Sequence, residues 1–282
     1  MNKPILADTY IRSYYFENKK TSGAMPNMHY HDHYELYYLL SGERKYFVGD
    51  KFSTVQQGDF VAIPPQTPHK TGGQSGWRIL FAFDDGFLEK WLTPQAQKIV
   101  LNFFNRTFIR PPKEKRDEII SLLSQIEKAS SEKQEENIFS ALFRLFFILN
   151  DSPNATNEET YATKLLHNAL EYTQTHYAQI ENMDELAKAL FVSKSYLCHI
   201  FAKYAEVSFV RYLTQIRLKN ASEQLKNTKR SISEIAIACG FSTSTYFCQV
   251  FKREFGFSPL KYRAIYQKIK VNNAATIIHA AK

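Results

Sequence analysis

The sequence contains little cysteine and no long apolar run. Three cysteines occur in 282 residues and no two form a CxxC pair: Cys198, Cys239 and Cys248. This predicts free, buried or half-buried thiols rather than a disulfide framework or a cysteine-based zinc site. The longest apolar stretch, Ala141 to Leu149, is interrupted by Arg144 and is too short to span a bilayer. Residues 1–20 lack an apolar segment followed by small residues, so we expect no secretory signal, a cytoplasmic protein and no membrane partner.

The charge of the chain is distributed unevenly. The composition, 44% hydrophobic and 23% charged, is typical of a globular protein, and the length favours two domains. From residue 160 onward there are 17 Lys and Arg against 8 Asp and Glu, whereas the first 159 residues hold 19 against 20. A neutral front half followed by a basic rear half indicates that only the rear half meets a polyanion, although charge alone also fits a solvated basic surface.

A polar, proline-containing stretch at 151–160 predicts a linker between domains at 1–150 and 161–282. Short β-branched and aromatic segments between glycine turns predict a sandwich or barrel up to about residue 83. Two helices follow, because apolar side chains then recur at helical spacing: Ile119, Leu122, Leu123 and Ile126, then Ile138, Leu142, Leu145, Phe146 and Leu149. These helices either pack on the barrel or pair across a dimer.

The rear half contains an internal repeat. Leu186-Ala187 is followed by Tyr196-Leu197-Cys198, and Ile235-Ala236 by Tyr246-Phe247-Cys248. Each copy predicts helix, turn and helix, the unit that places its second helix in the major groove of DNA. In the second copy we expect Ser233 to cap the first helix, Gly240 to turn the chain in a left-handed conformation, and Thr243 or Ser244 to start the second helix. In the first copy Phe191 occupies the expected glycine position, and Ser193 is the expected cap.

The helical phase divides each second helix into a buried and an exposed face. Leu197, Ile200 and Phe201 are predicted to be buried in the first copy, and Tyr246, Phe247, Val250 and Phe251 in the second. Hydroxyls and amides suit base edges, whereas lysines suit phosphates, so the outward residues are the candidate DNA contacts. They are Ser195, Cys198, His199 and Lys203, then Ser244, Thr245, Cys248, Gln249 and Lys252.

The run from Gly240 to Arg263 resembles the C-terminal signature of the AraC family of transcription regulators, as does the preceding Arg217-Leu218-x-x-Ala221 segment. The resemblance covers about residues 161–263. It implies two recognition helices set in successive major grooves by a linker helix near Ser208 to Asn227. The sequence departs from the family pattern at Glu206, where glycine is usual, and at His199, where a longer basic residue is common.

The front half resembles a cupin, whose motifs HxHxxxE…G and G-x5-P-x4-H match here. On a strand, residues two apart share a face, so we expect His29, His31 and Glu35 to point one way. In metal-binding cupins the matched positions His29, His31, Glu35 and His69 hold one divalent ion, and this donor set suits Zn, Mn, Fe or Ni. The motif departs from the pattern at Gln66 and Gly73. The expected fold class is therefore α+β: a cupin-like barrel with packing or dimerisation helices, then an all-α double helix-turn-helix domain.

Two interpretations of these four residues stay open: a divalent metal as cofactor, or a metal-free pocket for a sugar or related metabolite. Aromatic side chains can supply flat walls or simply barrel core: Tyr37, Tyr46, Phe60, Trp77 and Phe81. A metal-dependent oxygenase or isomerase is the enzyme alternative, but the attached DNA-binding half favours a regulator that is not an enzyme, and an activator. A DNA-repair methyl acceptor is set aside, since the front half has no cysteine. The expected partners are double-stranded DNA, a carbohydrate effector, a second copy of the chain and RNA polymerase.

Overall fold

The computed structural model describes residues 13–21, 28–155, 160–205 and 207–266. The chain divides into two compact units between His167 and Asn168. The first is built on strands and the second is helical, so the predicted α+β class is confirmed. Within the described ranges, none of the helices combines the length and the hydropathy of a membrane span.

The front unit is a barrel of two antiparallel sheets. Its strands are β1 (Tyr14–Thr21), β2 (Tyr34–Ser41), β3 (Glu43–Val48), β4 (Lys51–Gln56), β5 (Phe60–Ile63), β6 (His69–Gly73), β7 (Gly76–Phe83) and β8 (Phe108–Ile109). One sheet has the strand order β1-β7-β2-β5-β8 and the other β4-β3-β6. Short strands that alternate with glycine turns were the basis of the barrel prediction, and the turn residues Gly42, Gly49 and Gly58 all have positive φ.

The two faces of β2 are buried in different places. Leu36 and Tyr38 join an outer core with the helices, whereas Tyr37 and Leu39 join an inner core to which both sheets contribute. This follows from the period of a strand, which sends successive side chains to opposite faces. Both faces are therefore apolar over Leu36 to Leu39, where each of the four residues is at most 2% exposed.

Four helices cover the outer face of the barrel: α1 (Asp85–Glu89), α2 (Pro94–Val100), α3 (Arg116–Ser131) and α4 (Glu135–Asp151). Every apolar residue predicted for the inward stripes of α3 and α4 is buried in the outer core. Packing on the barrel is thus confirmed for those residues, and their stripes are not available for a dimer. Beyond α4, the Ala155 amide donates to the Phe108 carbonyl at 3.0 Å, so the first residues of the predicted linker lie on the barrel. The domain limits at 150 and 161 stay a prediction.

The helical unit contains the two predicted repeats. Its helices are α5 (Tyr161–His176), which begins in the front unit, α6 (Met183–Ala189), α7 (Lys194–Ile200), α8 (Phe209–Asn227), α9 (Ile232–Ala238) and α10 (Ser244–Phe255). A last helix is described over residues 259–266. The predicted linker helix is α8, and its N-cap is Ser208. Ser193 caps α7 and Thr243 caps α10, each by accepting a hydrogen bond from the backbone N–H three residues on.

Two details of the second repeat differ from the sequence prediction. The cap of α9 is Ser231 rather than Ser233, because Ser231 and Glu234 form a reciprocal capping box. Tyr246 is not buried with Phe247, Val250 and Phe251 but is 48% exposed. Its position in the first turn of α10 places the ring beyond the edge of the core. The departure noted at Glu206 lies outside the described residues.

The turns of the two repeats use the same backbone conformation with different residues. Gly240 has φ 81° and Phe191 has φ 56°, so both lie in the left-handed region that disfavours a side chain. The surroundings differ. A Cβ at residue 240 would lie 2.6 Å from the Ala178 carbonyl oxygen and 2.9 Å from Arg217 Nε, whereas Phe191 is 95% exposed. Glycine is needed for space at the packed turn, whereas the open turn tolerates phenylalanine.

We therefore predict opposite sensitivities at the two turns. Gly240→Ala should lower the free energy of unfolding by at least about 2 kcal/mol, since it adds both left-handed strain and a backbone clash. Phe191→Gly should stay within about 1 kcal/mol of the wild type, because relief of strain is offset by a more flexible unfolded chain. Urea unfolding of the full chain measures both. Equal destabilisation by the two substitutions would contradict the packing difference.

Candidate functional site

The predicted histidines gather at the start of β6. The backbones of His29 and His69 form an antiparallel bridge, with N–H to carbonyl distances of 3.0 and 2.8 Å. The segment after His29 is a bend rather than a strand, and β2 begins only at Tyr34. Strand alternation is therefore not what aligns His29, His31 and Glu35. The bridge and the bend bring one ring nitrogen from each of His29, His31 and His69 within 4.8 Å of one another.

One ring nitrogen of His69 forms a hydrogen bond and the other does not. Its Nδ1 lies 2.9 Å from the Thr67 carbonyl oxygen, which can only accept, so Nδ1 carries the proton. Burial, together with the neighbouring His29 and His31, lowers the pKa of His69 well below its ordinary value and keeps the ring neutral. The Nε2 lone pair is buried and has no hydrogen-bond partner in the described structure. A neutral imidazole held in this way is an oriented acceptor or metal ligand.

His31 connects the histidines to Glu35. Its Nδ1 lies 3.0 Å from the His33 carbonyl and its Nε2 lies 3.1 Å from a Glu35 carboxylate oxygen. Burial opposes ionisation of Glu35, but the hydrogen bond from His31 and the electrostatic interaction with the same ring outweigh burial and lower the pKa of the carboxyl group. The four predicted residues thus form two groups that share His31: three imidazoles on one side and a histidine–carboxylate pair on the other.

His33 belongs to the site and was missed from the sequence. Its ring stacks on His31 at a centroid distance of 3.7 Å, and its ring nitrogen lies within 4.8 Å of the donors of His31 and Glu35. The residue is only 6% exposed. The sequence has a histidine at every second position from His29 to His33. His33 was not predicted because the cupin motif includes only His29 and His31.

The donor set fits a divalent ion. Imidazole nitrogens with one carboxylate suit Zn, Mn, Fe or Ni, and the unpartnered Nε2 of His69 offers a lone pair beside the other two imidazoles. His29, His31 and His69 would hold such an ion, with Glu35 beside His31. Bound there, the ion would supply a positive centre that orients hydroxyl or carboxylate oxygens of a small molecule.

The aromatic residues proposed as pocket walls separate into two sets. Tyr37 and Tyr46 lie in the inner core, with ring centroids 4.9 Å apart, and can line a pocket. Phe60 and Phe81 belong to the outer core against the helices, and Trp77 is 48% exposed. Those three are therefore not walls of an interior site.

The candidate DNA contacts lie on the outward faces of α7, of the π-helical turn Phe201–Ala205 that continues it, and of α10. Seven of the nine are exposed and two are half-buried: Ser195, Cys198, His199, Lys203, Thr245, Gln249 and Lys252, then Ser244 and Cys248. Leu197, Ile200 and Phe201 are buried as predicted, and so are Phe247, Val250 and Phe251. The three cysteines are free, with Cys239 buried, Cys248 half-buried and Cys198 exposed.

Two tyrosines join these outward faces. Tyr196 and Tyr246 occupy equivalent positions in the repeats and are 39% and 48% exposed. Tyr246 was expected in the core because a tyrosine side chain is apolar over most of its surface. Because Tyr196 and Tyr246 occupy the same position in the two repeats, the sequence did indicate that these tyrosines share a role.

Comparison with known proteins identifies both units. A helix-turn-helix domain model matches residues 186–265, and a cupin domain model matches residues 20–78. The Msm operon regulatory protein of Streptococcus mutans is 25% identical over 239 residues, 82% of this chain and 84% of the relative. The chain belongs to the AraC family of transcription regulators. As an AraC-family protein it regulates transcription through a DNA-binding helix-turn-helix unit.

Other relatives of this AraC-family chain are also transcription regulators. The raffinose operon transcriptional regulatory protein RafR of Pediococcus pentosaceus is 28% identical, over 82% of this chain and 85% of the relative. The transcriptional activator RhaR of Mannheimia succiniciproducens is 25% identical, over 86% and 88%. A solved C-terminal domain of AraT from Geobacillus stearothermophilus is 34% identical and covers 38% of this chain and 88% of that one, but its TM-score is 0.36, too low to support an argument.

The neutral, buried His69 predicts a pH-dependent stability. Its pKa is lowered in the folded state, so between that value and the ordinary value of about 6.5 the unfolded chain binds a proton that the folded chain does not. Stability should be fully present above about pH 6.5 and fall by up to about 1.4 kcal/mol per pH unit below it. Urea unfolding in a metal chelator should show a shallower loss for His69→Gln than for the wild type.

The exposed His199 provides the control for this measurement, and His199→Gln should follow the wild-type pH dependence. An unchanged pH dependence in His69→Gln would show that other groups dominate the acid destabilisation.

Proposed function

We propose that this chain is a transcription activator that responds to a sugar or related metabolite bound inside its barrel. The observation that carries the proposal is a set of buried polar atoms without hydrogen-bond partners in the front unit: His69 Nε2, Arg78 Nη1 and Gln66 Oε1. An unpartnered buried polar atom is unfavourable by about 1–3 kcal/mol, so such atoms indicate a place for a polar molecule or ion. One relative is named as the regulator of a raffinose operon and another as a transcriptional activator, and these names support the choice of a sugar effector and of activation over repression.

The effector is placed against His29, His31, Glu35 and His69, with Tyr37 and Tyr46 as flat walls. Donors and acceptors of both kinds suit hydroxyl groups, and aromatic rings suit the apolar face of a sugar. The two interpretations of these residues, with and without a divalent metal, differ only in whether the ion lies between the imidazoles and the effector. A protein that acts on DNA must share its compartment, so the cytoplasmic location, and RNA polymerase as a partner, belong to the same proposal.

Glu35→Gln and His31→Asn should abolish the response to effector while DNA binding and folding persist. The expected reason is that these side chains meet the effector or a metal rather than serving only to stiffen the barrel. Thermal melting with a panel of sugars that includes raffinose identifies the effector; at a hundred times its dissociation constant it should add about 2.7 kcal/mol. A reporter gene then measures the response, and elemental analysis of the purified protein decides whether metal is present.

The matched controls are Glu171→Gln and His176→Asn, which alter an exposed glutamate and histidine on α5. They should respond like the wild type. A folded Glu35→Gln variant that keeps its full response would refute the placement of the effector.

We propose that Gln249 reads a base and that Lys252 binds a phosphate. Both are exposed on α10, one turn apart, and Gln can bond adenine through two hydrogen bonds. Gln249→Ala should relax sequence preference by about 1–3 kcal/mol at one base pair. Lys252→Ala should weaken binding to all sequences alike and reduce the salt slope by about one. Binding-site selection and salt titration measure these effects, and Lys128→Ala, on α3 of the front unit, is the control. Identical base preferences for wild type and Gln249→Ala would place Gln249 away from the bases.

We also propose dimerisation through the front unit, by the more exposed face of α4 and not by its buried stripe. A row of aromatic rings runs along the edge of the outer core, in which Trp91 stacks on Phe139 at 5.3 Å and Phe143 contacts Phe147 at 4.9 Å. Phe139 and Phe143 are partly buried against that core. Phe147 is 51% exposed. A second copy of the chain can cover this row by symmetry, and two DNA-binding units then act on one site at raised effective concentration.

Phe147→Ser should raise the dissociation constant of the dimer by about tenfold or more, since removal of a buried aromatic contact is unfavourable by about 1–3 kcal/mol. Sedimentation of the full chain at micromolar concentration measures this. Ile99→Ser, at a 65% exposed position on α2, is the control and should leave the dimer intact. A monomeric wild-type chain would overturn the dimer proposal.

A further inference from the structure

The interior of the barrel has a cationic end in addition to its histidine end. Arg78 on β7 lies opposite Leu39 of β2, and Arg44 on β3 lies opposite Val55 of β4. Leu39 and Val55 belong to the inner core, so both arginines start from the inner faces of their strands. Arg44 is 2% exposed. Few buried sites hold a guanidinium without a functional or structural need, because burying a charge is unfavourable.

The amino groups of Arg78 differ in their surroundings. Nη2 forms an ion pair with Glu17 of β1. Nη1 is buried and makes no hydrogen bond to the described residues. The guanidinium carbon lies 5.5 Å from the centroid of the Tyr37 ring, so the group faces the interior where Tyr37 and Tyr46 meet. A buried N–H of a cation that lacks an acceptor is a strong recognition point for an anion.

Arg44 is held rigidly beside the same ring. Its Nε donates to the Thr71 hydroxyl at 3.1 Å, and its Nη1 donates to the Thr21 hydroxyl at 2.9 Å and the Gln74 carbonyl at 2.8 Å. Burial raises the pKa of Tyr37, and the positive charges of Arg44 and Arg78 both act against that rise. Both guanidinium groups therefore direct their positive field at the same part of the interior.

The cationic end lies within reach of the histidine end. Tyr37 follows Glu35 by two residues on the same face of β2, a separation of about 7 Å along the strand. The register confirms the order, since Glu35 pairs with Ala82, Tyr37 with Leu80 and Leu39 with Arg78. Arg78 starts opposite Leu39, about 13 Å along β2 from Glu35, but its guanidinium reaches back to within 5.5 Å of the centroid of the Tyr37 ring. A sugar ring that carries a charged substituent can thus contact both ends at once.

We propose that the effector is an anionic sugar, whose carboxylate or phosphate group binds Arg78 Nη1 with Arg44 behind it. Its hydroxyl groups then face His31, Glu35 and His69. This inference rests on the proposed function, because it assigns the chemical class of the effector for the same pocket. It predicts that a neutral sugar of the same stereochemistry binds more weakly than its acid.

The test compares matched sugars on the full-length protein. Thermal shift and calorimetric titration are carried out with glucose, glucuronate and glucose 6-phosphate, and with galactose, galacturonate and galactose 6-phosphate. In each series the three compounds differ only at carbon 6, so the panel separates a carboxylate from a phosphate. We expect one acid to bind at least about tenfold more tightly than its neutral parent, the effect of one charge-assisted hydrogen bond.

Variants then assign the anion to Arg78. Arg78→Met should weaken binding of the acid about 10- to 100-fold and leave the neutral parent unchanged, and Arg78→Lys should recover part of the loss. Lys19→Met is the matched control, since Lys19 pairs with Arg78 across β1 and β7 and contacts the same Glu17 but is half exposed to solvent. Melting without sugar establishes that each variant is folded; if Arg78→Met does not fold, the Arg78→Lys titration decides alone.

The outcomes separate the two proposals. Preference for an acid that Arg78→Met abolishes supports the inference. Binding of a neutral sugar as tightly as its acid, or an acid preference that survives in folded Arg78→Met, overturns the inference but leaves the sugar-responsive function intact. Where only Arg78→Lys folds, an acid affinity equal to that of the wild type overturns the inference and a reduced one supports it. No binding by any compound of the six overturns this inference for hexose acids, while the wider sugar panel described above tests the proposed function separately.

Discussion

The front unit depends on one constraint, the two-sided burial of β2. Because successive side chains of a strand point to opposite faces, Leu36 and Tyr38 seal the helices onto the barrel while Tyr37 and Leu39 fill its interior. Glu35 starts the interior face at the histidine end. A slip of one residue in register would exchange the two faces, removing the outer core and turning the Glu35 carboxylate away from His31. The core and the histidine–carboxylate cluster are therefore determined together.

In the helical unit, the two recognition helices α7 and α10 must be held in place by the linker helix α8. Glu254 of α10 is 4% exposed and is bound by Arg211 and Gln215 of α8, with distances of 3.0 to 3.2 Å. Arg217 of α8 donates to the carbonyl groups of Tyr177 and Ile180, beside the crowded turn at Gly240. Arg211 and Gln215 thus anchor the second repeat on α8, and Arg217 anchors the segment that precedes α6. These hydrogen bonds give directional contacts that apolar packing alone lacks.

The two proposed binding surfaces differ in their chemistry in a way that suits their partners. The interior of the barrel combines a histidine–carboxylate end with a cationic end, separated by tyrosine rings, and can orient a small polar molecule. The outward faces of α7 and α10 carry hydroxyl, amide, imidazole and lysine groups on rigid helices, which is the pattern expected for base edges with phosphates at the margin. Buried polar groups are fixed in position and can select one small ligand. Exposed polar groups of the same types become selective only when the groove of a DNA duplex lies against them.

Residue spacing along the sequence was sufficient to predict many of the elements of this protein. Helical spacing identified the buried stripes of α3, α4, α7 and α10, the repeat identified the two helix-turn-helix units, and motif spacing located the histidine cluster. The exact cap of α9 was missed although the sequence carries the signal, since Ser231 has Glu234 three residues on, as a capping box requires, whereas Ser233 has Ala236. Tyr246 was misjudged because an amphipathic ring fits either side of a core boundary.

Tertiary structure decided what local patterns leave open. His33 enters the site through a bend, Arg78 and Arg44 meet Tyr37 only when β7 and β3 close around β2, and the aromatic row on α4 remains exposed only because the opposite stripe is buried. The physical reason is the same in each case. Periodicity tells which residues share a face of their own element, but partners for buried charge and for lone pairs come from elements distant in sequence, and these are brought together only when the barrel closes.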